Sequence, residues 1–216
     1  RSTRARTHEL VVKLKERARL DPVPHLTTVG HTRGEVQQIL DRYAEAGVTN
    51  LMALRGDAPR DWKSHDRSKD DFKFAVDLVK FICDFNRSGK HADPRGFGIG
   101  VAGFPEGHPE TGNTLTLMDH LKAKVDAGAD YVCTQMFFHN PSFYDWRERC
   151  ELAGIKLPLV AGIMPITSIA GMKRMAELSG CTNFPARLQR HIYLVQDDPE
   201  AVKRVFLTAH DISASD

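Results

Sequence analysis

Five short apolar runs begin near residues 25, 51, 97, 131 and 158, and they alternate with longer segments whose apolar residues recur at helical spacing. No other feature restricts the fold as strongly. Strand-length runs separated by one-sided helices predict βα units, because parallel strands need a long crossover and a helix is the usual one. The spacing predicts a first helix over 7–17, with Leu10, Val11 and Leu14 on one face. His25-Leu26-Thr27-Thr28-Val29-Gly30 then reads as a short strand. Thr32-x-x-Glu35 is a capping box, opening a helix that carries Val36, Ile39, Leu40, Tyr43 and Ala44 and stops at Gly47. Further helices are predicted over 72–85, 114–127, from Asn140-Pro141 to Gly154, and around 168–178, with one or two more between Pro185 and His210. Asn140 is the expected N-cap of its helix. Periodicity leaves open whether the sheet is open or closed into a barrel; in either case ligands sit at the carboxyl ends of the strands.

Composition bounds the function classes. A chain of 216 residues, 41% apolar and 27% charged, fits one domain over residues 1–216, with no linker or internal repeat. A net charge of +2 does not point to nucleic acid or a membrane surface, and no apolar run is long enough for a transmembrane helix. No signal-peptide pattern follows Arg1. Cys83, Cys133, Cys150 and Cys181 are widely spaced, which predicts reduced thiols and a cytoplasmic location, with Cys133 and Cys150 in the core. The ten histidines show no metal-site spacing, so no metal is expected.

The candidate chemistry lies where the apolar runs stop. The run Asn50 to Leu54 ends in Arg55-Gly56-Asp57: a cation, a glycine and a carboxylate. The third strand is followed by Glu106 and His108. The fourth, read as Tyr131 to Phe138, contains Gln135, expected to be buried and therefore to need partners for its amide. Gly162 and Pro165 follow the fifth. A parallel sheet would place all of these on one rim. Gly98-Ile99-Gly100-Val101-Ala102-Gly103 matches the Gly-x-Gly-x-x-Gly dinucleotide pattern, but the glycines lie inside a strand and Phe104-Pro105 follows where a helix should start. Glycines in that position predict a close approach to the sheet instead.

The motifs His25-Leu26-Thr27, Ala53-Leu54-Arg55-Gly56-Asp57, Phe104-Pro105-Glu106-Gly107-His108-Pro109-Glu110, Lys122 to Ala129, Thr134-Gln135-Met136-Phe137-Phe138 and Gly162-Ile163-Met164-Pro165 resemble, in order and spacing, those of methylenetetrahydrofolate reductases over residues 2–190. The resemblance implies a (β/α)8 TIM-type barrel, incomplete here, with five of eight strands and without the first two and the last. It implies FAD at the carboxyl rim and reduction of 5,10-methylenetetrahydrofolate to 5-methyltetrahydrofolate by NADH or NADPH, a ping-pong hydride transfer through flavin N5. By the same resemblance Asp57 is the carboxylate beside the flavin, favouring the cationic iminium form of the folate, and Gln135 binds the pterin and meets the nicotinamide. His25, Arg55, Gly56, Asp57, Phe74, Ala75, Phe104, His108 and Lys124 match positions that hold FAD, with Lys124 and His108 suited to its diphosphate. Phe104 stands where the family usually has tyrosine, and Leu117 where it usually has an aspartate on the cofactor side. The family's general-acid glutamate has no counterpart in residues 1–216. An alternative expectation is therefore a non-catalytic flavin- or folate-binding homologue; another is a barrel enzyme acting on a phosphorylated substrate. Homo-oligomerisation is left open.

Overall fold

The computed structural model describes residues 3–57, 66, 69–163, 168–179 and 183–204. Among these, α1 spans Thr3–Ala18, β1 His25–Thr27, α2 Arg33–Glu45, β2 Asn50–Leu54, α3 Ala75–Arg87 and β3 Gly98–Gly103. Then come α4 over Thr114–Asp126, β4 over Tyr131–Thr134, α5 over Asn140–Leu152, β5 over Leu159–Val160, α6 over Ile169–Ser179 and α7 over Ala186–Leu194. Residues 199–204 are also helical. Pro165, Cys181 and His210 lie outside the described residues.

The strands form one five-stranded sheet in the order β1-β2-β3-β4-β5, the order of the chain itself. A doubly wound sheet reverses direction at a switch point, and this one does not. With right-handed crossovers, a strictly sequential order puts every helix on the same face, which is the winding of a barrel. Strand order thus decides what periodicity leaves open: the fold is α/β of the TIM-barrel type, with five strands of it among the described residues. Leu26 pairs with Ala53, and Ala53 with Val101, in parallel. Leu51, Met52 and Ala53 are all buried, as expected of a strand covered on both faces.

Three strands are shorter than their expected runs, β1 among them, which ends at Thr27 rather than Gly30. Tyr131 to Phe138 reads as a continuous strand, but β4 ends at Thr134, and Met136 and Phe138 pack instead into a cluster with Leu188, Ile192 and Val202. The run from Pro158 likewise yields only Leu159–Val160. Met136 and Phe138 are buried by helices rather than by the sheet, whereas Val160 and Ile163 are exposed.

The chain divides into two compact units: Arg1–Ala102 with Leu121–Val132, and Gly103–His120 with Cys133–Asp216. In the first, α2 is capped as its sequence predicts: the Glu35 amide donates to Thr32 Oγ1 at 3.2 Å and the Thr32 amide to Glu35 Oε2 at 2.8 Å. The amphipathic faces of α2 and α3 bury Val36, Leu40, Tyr43, Leu78, Val79 and Ile82. The glycines of β3 are packing devices. A Cβ on Gly100 would overlap the Met52 sulfur and the Tyr131 ring, and one on Gly98 would overlap the Asn50 side chain. The second unit is centred on the Met136–Phe138–Leu188–Ile192–Val202 cluster, with Phe184 stacked on Phe138 at 4.7 Å. Cys150 is buried, whereas Cys133 is only half-buried; it alternates with Val132 and Thr134, which take the covered face of β4.

Candidate functional site

In the first unit, the main-chain ladder between β1 and β2 runs past the ends of both strands. The Thr28 amide donates to Leu54 O at 3.0 Å and the Val29 amide to Arg55 O at 3.2 Å, while Thr28 Oγ1 also donates to Arg55 O at 2.8 Å. Arg55 is therefore held by its own carbonyl, leaving the guanidinium stem half-buried and Asp57 exposed just beyond it. Gly56 has φ +73, and a Cβ there would come within 2.8 Å of Thr27 Cβ and 2.9 Å of its Cγ2. Only glycine meets both demands, the left-handed backbone and the close approach. His31 adds a contact on the same tip, with Nδ1 2.9 Å from Thr27 O. Thr28 and His31 escape sequence reasoning; a hydroxyl immediately after an apolar strand is the available signal.

Lys124 joins this tip. Its Nζ donates to Ala102 O at 2.6 Å, near the carboxyl end of β3. The pairing of Ala53 with Val101 puts Ala102 beside Leu54, one residue before Arg55. Burial pushes the Lys124 pKa down to about 8. The structure thus brings Arg55, Gly56, Asp57 and Lys124 to the same end of β2 and β3. His25 is elsewhere: it is exposed at the start of β1, paired with Met52, three positions before Arg55. Phe74 and Ala75 stand at the start of α3. Asp77 turns back there to accept from the Lys73 and Phe74 amides, each at 3.0 Å, and the Phe74 ring is 60% exposed.

In the second unit, Phe104 and His108 meet edge to face, with ring centroids 4.7 Å apart at 81°. The His108 Nδ1 accepts from the Glu110 amide at 3.2 Å, which fixes the loop's turn. Leu117 is half-buried on α4. Glu106 reaches the start of α5, where Oε1 accepts from the amides of Phe138 at 3.3 Å and His139 at 3.1 Å. The N-cap of that helix is His139, not Asn140, and it makes no side-chain cap; the Glu106 carboxylate instead places a negative charge at the helix's amino end, on the N-cap amide and the one before it.

Gln135 is exposed, contrary to its expected burial. Its amide still pairs with Gly103 O at 2.8 Å, so it continues the strand geometry past Thr134. Side chains alternate there: Val132 and Thr134 are buried, and Gln135 takes the opposite face with Tyr131 and Cys133. Its Oε1 accepts from the Met136 amide at 3.3 Å. The Gly162 amide donates to Thr134 Oγ1 at 2.8 Å, and a Cβ on Gly162 would overlap Thr134 O. An open cleft of about 270 Å³ results, lined by Thr134, Gln135, Met136, Gly162, Ile163 and, from α6, Met175 and Leu178.

A cation–glycine–carboxylate strand tip, a helix lysine bonded to the neighbouring strand end and an amide at an apolar cleft are found in a chain whose residues 1–211 match the family profile described as Methylenetetrahydrofolate reductase. The chain belongs to the methylenetetrahydrofolate reductase family. It is 33% identical over 202 residues to 5,10-methylenetetrahydrofolate reductase of Escherichia coli, covering 94% of this chain and 63% of that one. Methylenetetrahydrofolate reductase 2 of Saccharomyces cerevisiae is 35% identical over 199 residues, 91% of this chain and 32% of its own length. The chain thus spans between a third and two-thirds of the length of these reductases. A solved structure of an uncharacterized protein from Clostridium thermocellum, described as binding two copies of 5-methyl-5,6,7,8-tetrahydrofolic acid, superposes with a TM-score of 0.54 at 15% identity, covering 95% of this chain and 66% of that one. That likeness bears on the fold. Membership in the reductase family rests on the sequence.

Proposed function

We propose that the protein is an FAD-dependent methylenetetrahydrofolate reductase, taking reducing equivalents from NADH or NADPH and converting 5,10-methylenetetrahydrofolate to 5-methyltetrahydrofolate. The observation that carries the reading is the Arg55-Gly56-Asp57 tip, held by the β1–β2 ladder and joined by Lys124, in a member of this family. The donor set fits the cofactor. Arg55 and Lys124 are cations suited to a diphosphate, and Phe74 offers an exposed ring for a flat partner. The Phe104–His108 pair adds an aromatic edge and a ring nitrogen in its own unit. His25, Gly56 and Ala75 are assigned to cofactor binding on the family match alone.

FAD, when bound, would supply the two-electron relay between nucleotide and folate. The chain's own residues bind and orient. A carboxylate at Asp57 stabilises positive charge in the folate's methylene iminium, the form that accepts hydride. Gln135, with an amide that can both donate and accept, reads a pterin edge and is aimed by the cleft it lines. A proton donor for the folate nitrogen is not assigned to any residue of this chain. Cys83, Cys133 and Cys150 are unpaired thiols, which suits a cytoplasmic protein.

The test is the protein expressed from its full open reading frame. It should carry a flavin spectrum that NADH or NADPH bleaches and 5,10-methylenetetrahydrofolate restores. Asp57→Asn should slow the restoring step more than tenfold while leaving flavin content unchanged. A colourless protein, or equal loss of flavin content and folate reduction in Asp57→Asn, overturns the reading.

A further inference from the structure

The Glu106 carboxylate reaches out of the Phe104 to Glu110 loop to another element's start. Its Oε1 accepts from two successive amides, Phe138 at 3.3 Å and His139 at 3.1 Å, and so occupies the amino end of α5. Two things meet there. On one side, the loop that supplies Glu106 also carries the edge-to-face pair of Phe104 and His108. On the other, the segment it grips begins at Gln135, whose amide pairs with Gly103 immediately before Phe104. The segment has little room to shift. Phe137 stacks on Phe143 at 5.1 Å, and Phe138 on Phe184 at 4.7 Å. The segment is therefore held at two points: by the main-chain bond of Gln135 to Gly103, and three residues later by the Glu106 carboxylate on the Phe138 amide.

We propose that Glu106 is a positioning residue, whose carboxylate ties the Phe104–His108 loop to the start of α5 and thereby sets where the Gln135 side chain stands. The charge favours the amino end of a helix, where amides are unsatisfied and the helix dipole is positive. The helix has no side-chain cap of its own, and the carboxylate binds the N-cap amide of His139 and the Phe138 amide before it. A neutral acceptor keeps the hydrogen bonds and loses the attraction to the dipole; a methyl group loses both. This deepens the reductase reading, on which the catalytic consequence rests.

Four variants test it in the full-length protein: Glu106→Gln, Glu106→Ala, Gln135→Ala and the double variant Glu106→Ala/Gln135→Ala. If Glu106 acts through Gln135, Glu106→Ala raises the KM for methylenetetrahydrofolate about tenfold, whereas Glu106→Gln recovers most of the loss. Adding Glu106→Ala to a Gln135→Ala background then costs less than twofold more, the non-additivity expected of coupled residues. Additive losses, or equal slowing of the nucleotide and folate half-reactions, overturn the proposal. A readout independent of turnover separates it from failure of the reductase reading. In NMR spectra, Glu106→Ala should shift the Phe138 and His139 amides and the Gln135 side-chain amide, and Glu106→Gln should return the Gln135 signal toward its parent position. An unmoved Gln135 side chain overturns the positioning role even if the protein reduces no folate.

Discussion

Gly56 carries the strongest residue-level constraint on the candidate site. Its φ of +73 is a left-handed conformation, and Thr27 stands 2.8 Å from the position a Cβ would take. Gly56→Ala should lower unfolding stability by about 2–3 kcal/mol, the sum of an αL penalty and local crowding, measured by urea denaturation. Lys124 gives a pH-dependent prediction. Its pKa is pushed down to about 8 by burial, while an unfolded lysine titrates near ~10.4. Between those values the unfolded chain binds more protons, so stability rises with pH across that window; below about pH 8 the full burial cost of the ammonium is present. Lys124→Met should therefore raise the Tm of the flavin-free protein by a few degrees at pH 7, and the advantage should shrink as pH climbs from 8 to 10. A variant that melts lower at pH 7 would contradict that account. The end of β2 just before Arg55-Gly56-Asp57 is legible in the sequence, because the apolar run stops there in a cation, a glycine and a carboxylate. The exposure of Gln135 is not: seven apolar or small neighbours suggest burial, and only the alternation after Thr134 decides which face it takes.

At the scale of elements, the helices are legible because their signals are local. The capping box of Thr32 and Glu35 forms as written, and α2, α4 and α6 lie within two residues of their expected spans. What stays hidden are the long-range partners that complete element ends. Asn86, on the last turn of α3, donates from Nδ2 to Phe97 O at 2.9 Å and accepts at Oδ1 from the Phe97 amide at 2.9 Å. One side chain thus satisfies both main-chain groups of a buried residue at the start of β3. Nothing in sequence spacing links positions 86 and 97 in this way. Asn86→Ala should leave that donor and acceptor without their partner, at about 2–3 kcal/mol by chemical denaturation. Asn86→Asp should restore only the bond to the Phe97 amide, since a carboxylate cannot donate to a carbonyl. A loss under about 0.5 kcal/mol for Asn86→Ala would mean that water replaces the amide at that end of the sheet. Glu106 belongs to the same class: the carboxylate is visible in the sequence, and its partners, Phe138 and His139, are visible only in the fold.

For the molecule as a whole, strand order settles what residue patterns cannot. Alternating strands and helices fit an open sheet and a barrel equally, whereas the sequential order β1 to β5 has no switch point and fits only singly wound architecture. The family resemblance points the same way, through motifs spread along the chain. The same logic gives a prediction about ligand and stability together. A cofactor that binds the folded state and not the unfolded one stabilises by RT ln(1 + [L]/Kd), about 2.7 kcal/mol at a hundredfold excess over Kd. If Lys124 and Arg55 hold a diphosphate, FAD should raise the Tm in proportion to the logarithm of its concentration, and riboflavin, which lacks phosphate, should raise it far less. Lys124→Met should invert the ranking: more stable than the parent protein without FAD at pH 7, and less stable with it. Thermal melts of both proteins over a titration of FAD and riboflavin measure this. Equal shifts with both flavins would place recognition on the ring system, and would remove Lys124 from the cofactor site.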